Sequence, residues 1–289
     1  MTTTGEQVVE AHRRAGIAFR AGGCGTFRLD QGEGEPVVLV HGLPSSSFLY
    51  RKVVAELAAR GRRAIAIDLP GMGLAERADP FDYTVEGLSR FLEAAIDEIG
   101  LDRFHLVVHD AGGPIGMLMA CRMPERIRSL TVTNTIVDLA GTRFPGEIVA
   151  RTSRRIPDWL ASPWVWRRMM TISGIKDRSG ISDAELDAYR LLALGDDGGS
   201  GYLRIMNGVH QEREAASGYA RSMDATRVLY PVQVVWGAED PVLRLRSFGW
   251  KALAASRLST LEVVPGRHFL HEDQAPAIAE RVDRLVSTT

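Results

Sequence analysis

The sequence predicts an α/β fold, a mostly parallel sheet with helices on both faces and a helical insertion. Three observations predict it. Short β-branched apolar runs recur along the chain, amphipathic stretches separate them, and one long stretch shows no strand pattern. The apolar runs come first in the argument. Val37-Val38-Leu39-Val40 stops at His41-Gly42, and Ala64-Ile65-Ala66-Ile67 stops at Asp68-Leu69-Pro70-Gly71. Phe104-His105-Leu106-Val107-Val108 runs into His109-Asp110-Ala111-Gly112-Gly113. Ser129 to Thr133, Val232 to Trp236 and Leu261 to Val264 complete the set. Runs of this length, bounded by Gly and Pro, read as buried parallel strands.

Leu49 to Arg60, Thr84 to Ile99 and Ala275 to Val286 place apolar residues three and four apart, the spacing of amphipathic helices. In alternating folds of this kind, ligands gather beyond the carboxyl ends of the strands. The Gly-rich turns above all fall there. The rhythm breaks from Asp138 to Thr226, where Ser182-Asp183-Ala184-Glu185 forms a capping box and Asp196 to Gly201 reads as a flexible turn. This stretch is expected to be a helical cap (138–226) over the carboxyl edge of a core made of 1–137 and 227–289.

Composition narrows the function. The 289 residues are 45% apolar and 25% charged, an ordinary globular balance. Lys and Arg number 35 against 36 Asp and Glu, so no nucleic-acid or acidic-lipid surface is announced. No apolar run is long enough for a membrane span, and Met1 to Arg14 lacks the apolar region of a secretory signal. Two cysteines, Cys24 and Cys121, make no disulfide framework. A cytoplasmic protein is expected, with no nucleic-acid or membrane partner; its oligomeric state is not legible.

Three side chains carry the chemistry. Asp110 follows a strand and precedes a Gly-rich helix start, the place of a nucleophile elbow. The usual G-x-S-x-G reads here Val108-His109-Asp110-Ala111-Gly112, and no G-x-S-x-G occurs elsewhere. Asp240 lies in Gly237-Ala238-Glu239-Asp240-Pro241 after the next-to-last strand, with Glu239 as its competitor. His268 lies in Gly266-Arg267-His268-Phe269 after the last. Nucleophile, acid and histidine in that order form a catalytic triad pattern. The turn at His41-Gly42-Leu43-Pro44 and the residue after the nucleophile offer the backbone N–H groups of Leu43 and Ala111 as an oxyanion hole.

Nearly the whole chain resembles the α/β-hydrolase superfamily. Within it, the Asp-nucleophile branch of epoxide hydrolases and haloalkane dehalogenases looks most similar. The resemblance rests on His41 to Ser47, Asp68 to Gly73, His109 to Gly113 and Gly266 to Asp273. It implies the α/β-hydrolase fold with a helical cap, and hydrolysis through an alkyl ester on Asp110. Ester formation and hydrolysis then need no metal or organic cofactor, only a small apolar substrate and water. His268-x-x-His271 lacks the H-E-x-x-H spacing of a zinc site, so no metal is expected.

The pattern also departs from the branch. Haloalkane dehalogenases usually carry Trp after the nucleophile and often Asn before the loop Pro, where this chain has Ala111 and Leu43. Trp159, Trp164 or Trp166 would have to substitute. Epoxide hydrolases usually use two cap tyrosines as proton donors. The place of the second falls on Ile205 or Met206, with Tyr202 about one helical turn away and Tyr189 elsewhere in the cap. The expected pocket residues are therefore His41, His109, Trp159, Trp164, Tyr189 and Tyr202. The reading favours an epoxide hydrolase. Its alternatives are a haloalkane dehalogenase working through the same triad, and a binding or receptor protein that keeps the fold.

Overall fold

The computed structural model describes residues 3–137, 147–211 and 215–289. Eight strands form one sheet: β1 (Ile17–Ala21), β2 (Cys24–Gln31), β3 (Pro36–Val40), β4 (Arg63–Ile67), β5 (Phe104–Asp110), β6 (Ile127–Thr135), β7 (Val232–Gly237) and β8 (Glu262–Val264). Their spatial order is β1-β2-β4-β3-β5-β6-β7-β8. From β4 to β8 every pairing is parallel, while β1–β2 and β2–β4 are antiparallel.

The six parallel strands are the six apolar runs of the sequence. Alternate residues serve opposite faces, as a two-residue period requires. Val38, Val40, Leu106 and Val108 join the core under helices Val85–Ile99 and Gly112–Arg122. Val37, Leu39 and Val107 join a second core under Arg51–Ala59 and Ala275–Val286. The sequence reading missed the antiparallel pair β1–β2. Phe27 and Leu29 are buried, but polar residues alternate with them and the edge strand β1 is mostly exposed, so no apolar run marks either strand.

Between β6 and β7 the regular elements among the described residues are all helical. The expected start of the insertion at Asp138 lies outside the described residues. Helix Asp183–Leu194 begins at Ser182 with the anticipated capping box. The Asp196–Gly201 turn is not slack, because the Asp197 carboxylate accepts the N–H groups of Gly199 and Gly201 and starts helix Ser200–Gln211. No described helix is long and apolar enough to cross a membrane.

Candidate active site

Asp110 is the last residue of β5 and adopts φ 50°, the left-handed region that non-glycine residues rarely occupy. That turn aims its carboxylate at the loop after β3. The Leu43 N–H donates to Asp110 Oδ1 at 2.7 Å. Two glycines permit this close approach. A Cβ on Gly42 would lie 2.4 Å from Asp110 Oδ1, and one on Gly112 would lie 2.4 Å from the His41 carbonyl oxygen. Ala111 caps helix Gly112–Arg122, whose positive N-terminal end faces the same corner.

His268 faces Asp110 from the loop after β8, with Nε2 at 3.4 Å from Asp110 Oδ2. Its Nδ1 lies 2.9 Å from Asp240 Oδ2. Asp240 is held by more than the histidine. Its Oδ1 accepts the N–H groups of Val242 and Leu243, and its Oδ2 accepts from the Asn134 side chain at 2.7 Å. Glu239 instead pairs with Lys176 at the surface. Asn134 was not anticipated; it is fully buried at positive φ and also accepts the Gly237 N–H, joining β6 to the β7 turn. A single Asn inside a β-branched run offers no sequence signal for that role.

Charge organises this row. Burial alone would lower the pKa of His268, but the carboxylates of Asp240 and Asp110 at its two ends push it up to about 10. Burial opposes ionisation of Asp110 and Asp240, yet the imidazolium between them and the backbone donors hold both below the usual carboxylate range. The free site is therefore a carboxylate–imidazolium–carboxylate row.

Asp110, Ala111, Leu43 and His268 open into a cavity of about 270 Å³. Its other walls include Ile136, Met170, Met206, Val209 and Phe269, so it is mainly apolar. Tyr202 also lines it, and the phenol has no hydrogen-bond partner among the described residues. Burial, then the charge of Asp110, raises the Tyr202 pKa and keeps the phenol protonated. Of the two positions where the sequence reading expected a second tyrosine, Met206 lines the cavity. A broader surface groove, lined by Glu6, Arg13, Glu76 and Asp197, contains none of the candidate catalytic residues.

The other expected pocket residues sit elsewhere, and these expectations are corrected. Trp159 and Trp164 are 69% and 72% exposed. Tyr189 is buried against Phe269 and donates its hydroxyl to Glu272. His41 lies beneath the loop it begins, bonded to the Gly42 carbonyl and accepting the Leu69 N–H. His109 packs behind His268 and bonds to its carbonyl oxygen. The reason is common to all five. A side chain at a strand end or on a helix points to one of several surroundings, and sequence spacing does not say which.

Residues 35–275 match the family model described as alpha/beta hydrolase fold. Haloalkane dehalogenase 2 of Mycobacterium tuberculosis is 28% identical over 263 residues, covering 88% of each chain. A cis-3-alkyl-4-alkyloxetan-2-one decarboxylase of Shewanella oneidensis is 44% identical over 110 residues, covering 37% of this chain and 34% of its own. Among solved structures, an epoxide hydrolase from Vigna radiata superposes with a TM-score of 0.74 at 23% identity, covering 95% of this chain and 98% of that one. The chain belongs to the α/β-hydrolase family; it is a hydrolase whose sequence is similar to those of haloalkane dehalogenases and whose fold is shared with epoxide hydrolases.

Proposed function

We propose that the enzyme opens epoxides to diols through a covalent ester on Asp110, with residues 138–226 as a cap over the site. The observation that carries this reading is Tyr202. It is an unpartnered, protonated phenol in the wall of the cavity that holds Asp110 and His268. An opening epoxide needs a proton on its leaving oxygen, and a phenol supplies one. Halide departure calls for N–H donors around the anion, and among the described residues no Trp or Asn side chain lines the cavity.

The steps follow from the geometry. Asp110 Oδ1 is tied to the Leu43 N–H, which leaves Oδ2 to attack the ring carbon. The C–O bond of the ring breaks, and the oxygen takes the Tyr202 proton. Alkylation turns Asp110 into a neutral ester and removes one of the two charges that hold the proton on His268. The imidazolium then returns a proton to the Tyr202 phenolate through solvent. Neutral His268 takes a proton from water as the hydroxide oxygen bonds to Asp110 Cγ. The charge that develops on Oδ1 meets the Leu43 and Ala111 N–H groups. Collapse expels the diol oxygen, which takes the proton of the newly added hydroxyl and restores the carboxylate. Asp240 keeps the imidazole oriented throughout.

A second reading, carbon–halogen hydrolysis on the same Asp110, draws on the relatives named haloalkane dehalogenases. A panel of epoxides and haloalkanes, run with wild type and Tyr202→Phe, separates the two. Epoxide turnover that falls with Tyr202→Phe supports the proposal. Haloalkane turnover insensitive to that change, without epoxide turnover, refutes it.

A further inference from the structure

Beyond the cavity at Asp110 lies a second, smaller chamber of about 50 Å³. Pro44, Met169 and Tyr202 line both spaces, so the two adjoin across these three side chains. The remote walls of the chamber include Val149, Ile156, Leu160 and Trp166. Trp166 is 3% exposed, and its indole N–H is buried without an acceptor among the described residues. Buried donors are nearly always paired, so an orphan donor on a residue that lines a chamber asks for a partner. Water is a poor one here. An ordered buried water usually makes two to four hydrogen bonds, and the walls named above offer at most two polar groups, this N–H and the Tyr202 hydroxyl, amid hydrocarbon.

We propose that this chamber receives the far end of the substrate and that Trp166 donates to an acceptor oxygen there. The preferred substrate is then an apolar chain with its reactive carbon at one end and an ether or carbonyl oxygen near the other. The inference rests on the reading that the Asp110 cavity is the substrate site, and it deepens that reading by naming a second recognition point. Tyr202 stands between the two points, so a chain that reaches Trp166 passes the phenol.

Binding of inert ligands tests this without turnover. Alkan-1-ols of increasing length, and isosteres in which one methylene at a time becomes an ether oxygen, are titrated calorimetrically into the full-length wild-type enzyme. An ether oxygen usually weakens binding in an apolar pocket because it is desolvated. One position along the chain is expected to do the reverse, tightening Kd about fivefold. Trp166→Phe keeps the ring and removes the N–H, and should abolish that gain while leaving the all-carbon series unchanged. Leu160→Phe, which fills the chamber, should weaken only the longest ligands. Uniform weakening at every oxygen position in the wild type overturns the proposal, and needs no variant to fold. Retention of the gain in Trp166→Phe overturns it too. Failure of the epoxide reading appears separately, as absent turnover with this oxygen profile intact.

Discussion

Asp110 is where strain and chemistry meet. A left-handed non-glycine residue costs on the order of 1–3 kcal/mol, and the Leu43 N–H and His268 hold this one in place. Asp110→Asn keeps the size and the amide can still accept from Leu43, so the fold should survive. Turnover should fall by at least about 10⁴-fold, measured on freshly purified protein with deamidation excluded by mass. Tyr202→Phe should slow alkylation of Asp110 by about 10²–10⁴-fold and leave ester hydrolysis unchanged in single-turnover kinetics. An equal slowing of both steps would remove Tyr202 from the acid role. Asp110, Asp240 and His268 were legible in the sequence because each follows a strand and is flanked by the turn residues of a sheet edge. The walls of the cavity were not. Tyr189 and Tyr202 both lie between β6 and β7, yet one meets Glu272 and the other lines the cavity beside Asp110. Only packing between helices decides that.

The elements hold the site through close contacts and one buried charge cluster. Helix Gly112–Arg122 lies against the loop after β3, and a methyl at Gly112 would collide with the backbone carbonyls of His41 and Val40 at 2.4 and 2.5 Å. Backbone cannot swing aside as a side chain can. Gly112→Ala should therefore cost about 1–3 kcal/mol in denaturant unfolding and reduce turnover as well. The cluster centres on Glu272, whose side chain is 1% exposed on the short helix after His268. It pairs with Arg51 and Lys52 of the core and accepts from Tyr189 of the insertion, while Arg51 also reaches Glu185. Glu272→Ala leaves Arg51 with Glu185 alone and the Tyr189 hydroxyl without its acceptor, so a loss of about 1–3 kcal/mol is expected. A change below about 1 kcal/mol would show that the cluster is not a clamp. Strand and helix order was readable because each parallel strand is an apolar run. The pair β1–β2 was not, because the edge strand β1 is mostly exposed and polar residues alternate with the buried ones of β2.

For the whole molecule, the buried histidines predict a stability that peaks near neutral pH. His268 has a folded pKa raised to about 10, so its contribution is full below about 6.5 and is lost as pH rises through 10. His12, His105 and His109 are pushed down to about 4, 4 and 3, mainly by burial. Their contribution is full above about 6.5 and is lost as pH falls through those values. Tm against pH should be a dome, and His268→Gln should flatten its alkaline side. The most direct test of the account weighs the whole chain. His268→Gln is mixed with a substrate that the wild type turns over, and intact and peptide masses are read at short times. The predicted result is one substrate equivalent added to the chain, with the added mass confined to the peptide that holds Asp110 and no release over many wild-type turnover times. An unlabelled chain, a label on any other residue, or free turnover by this variant would contradict a mechanism built on an Asp110 ester hydrolysed by His268.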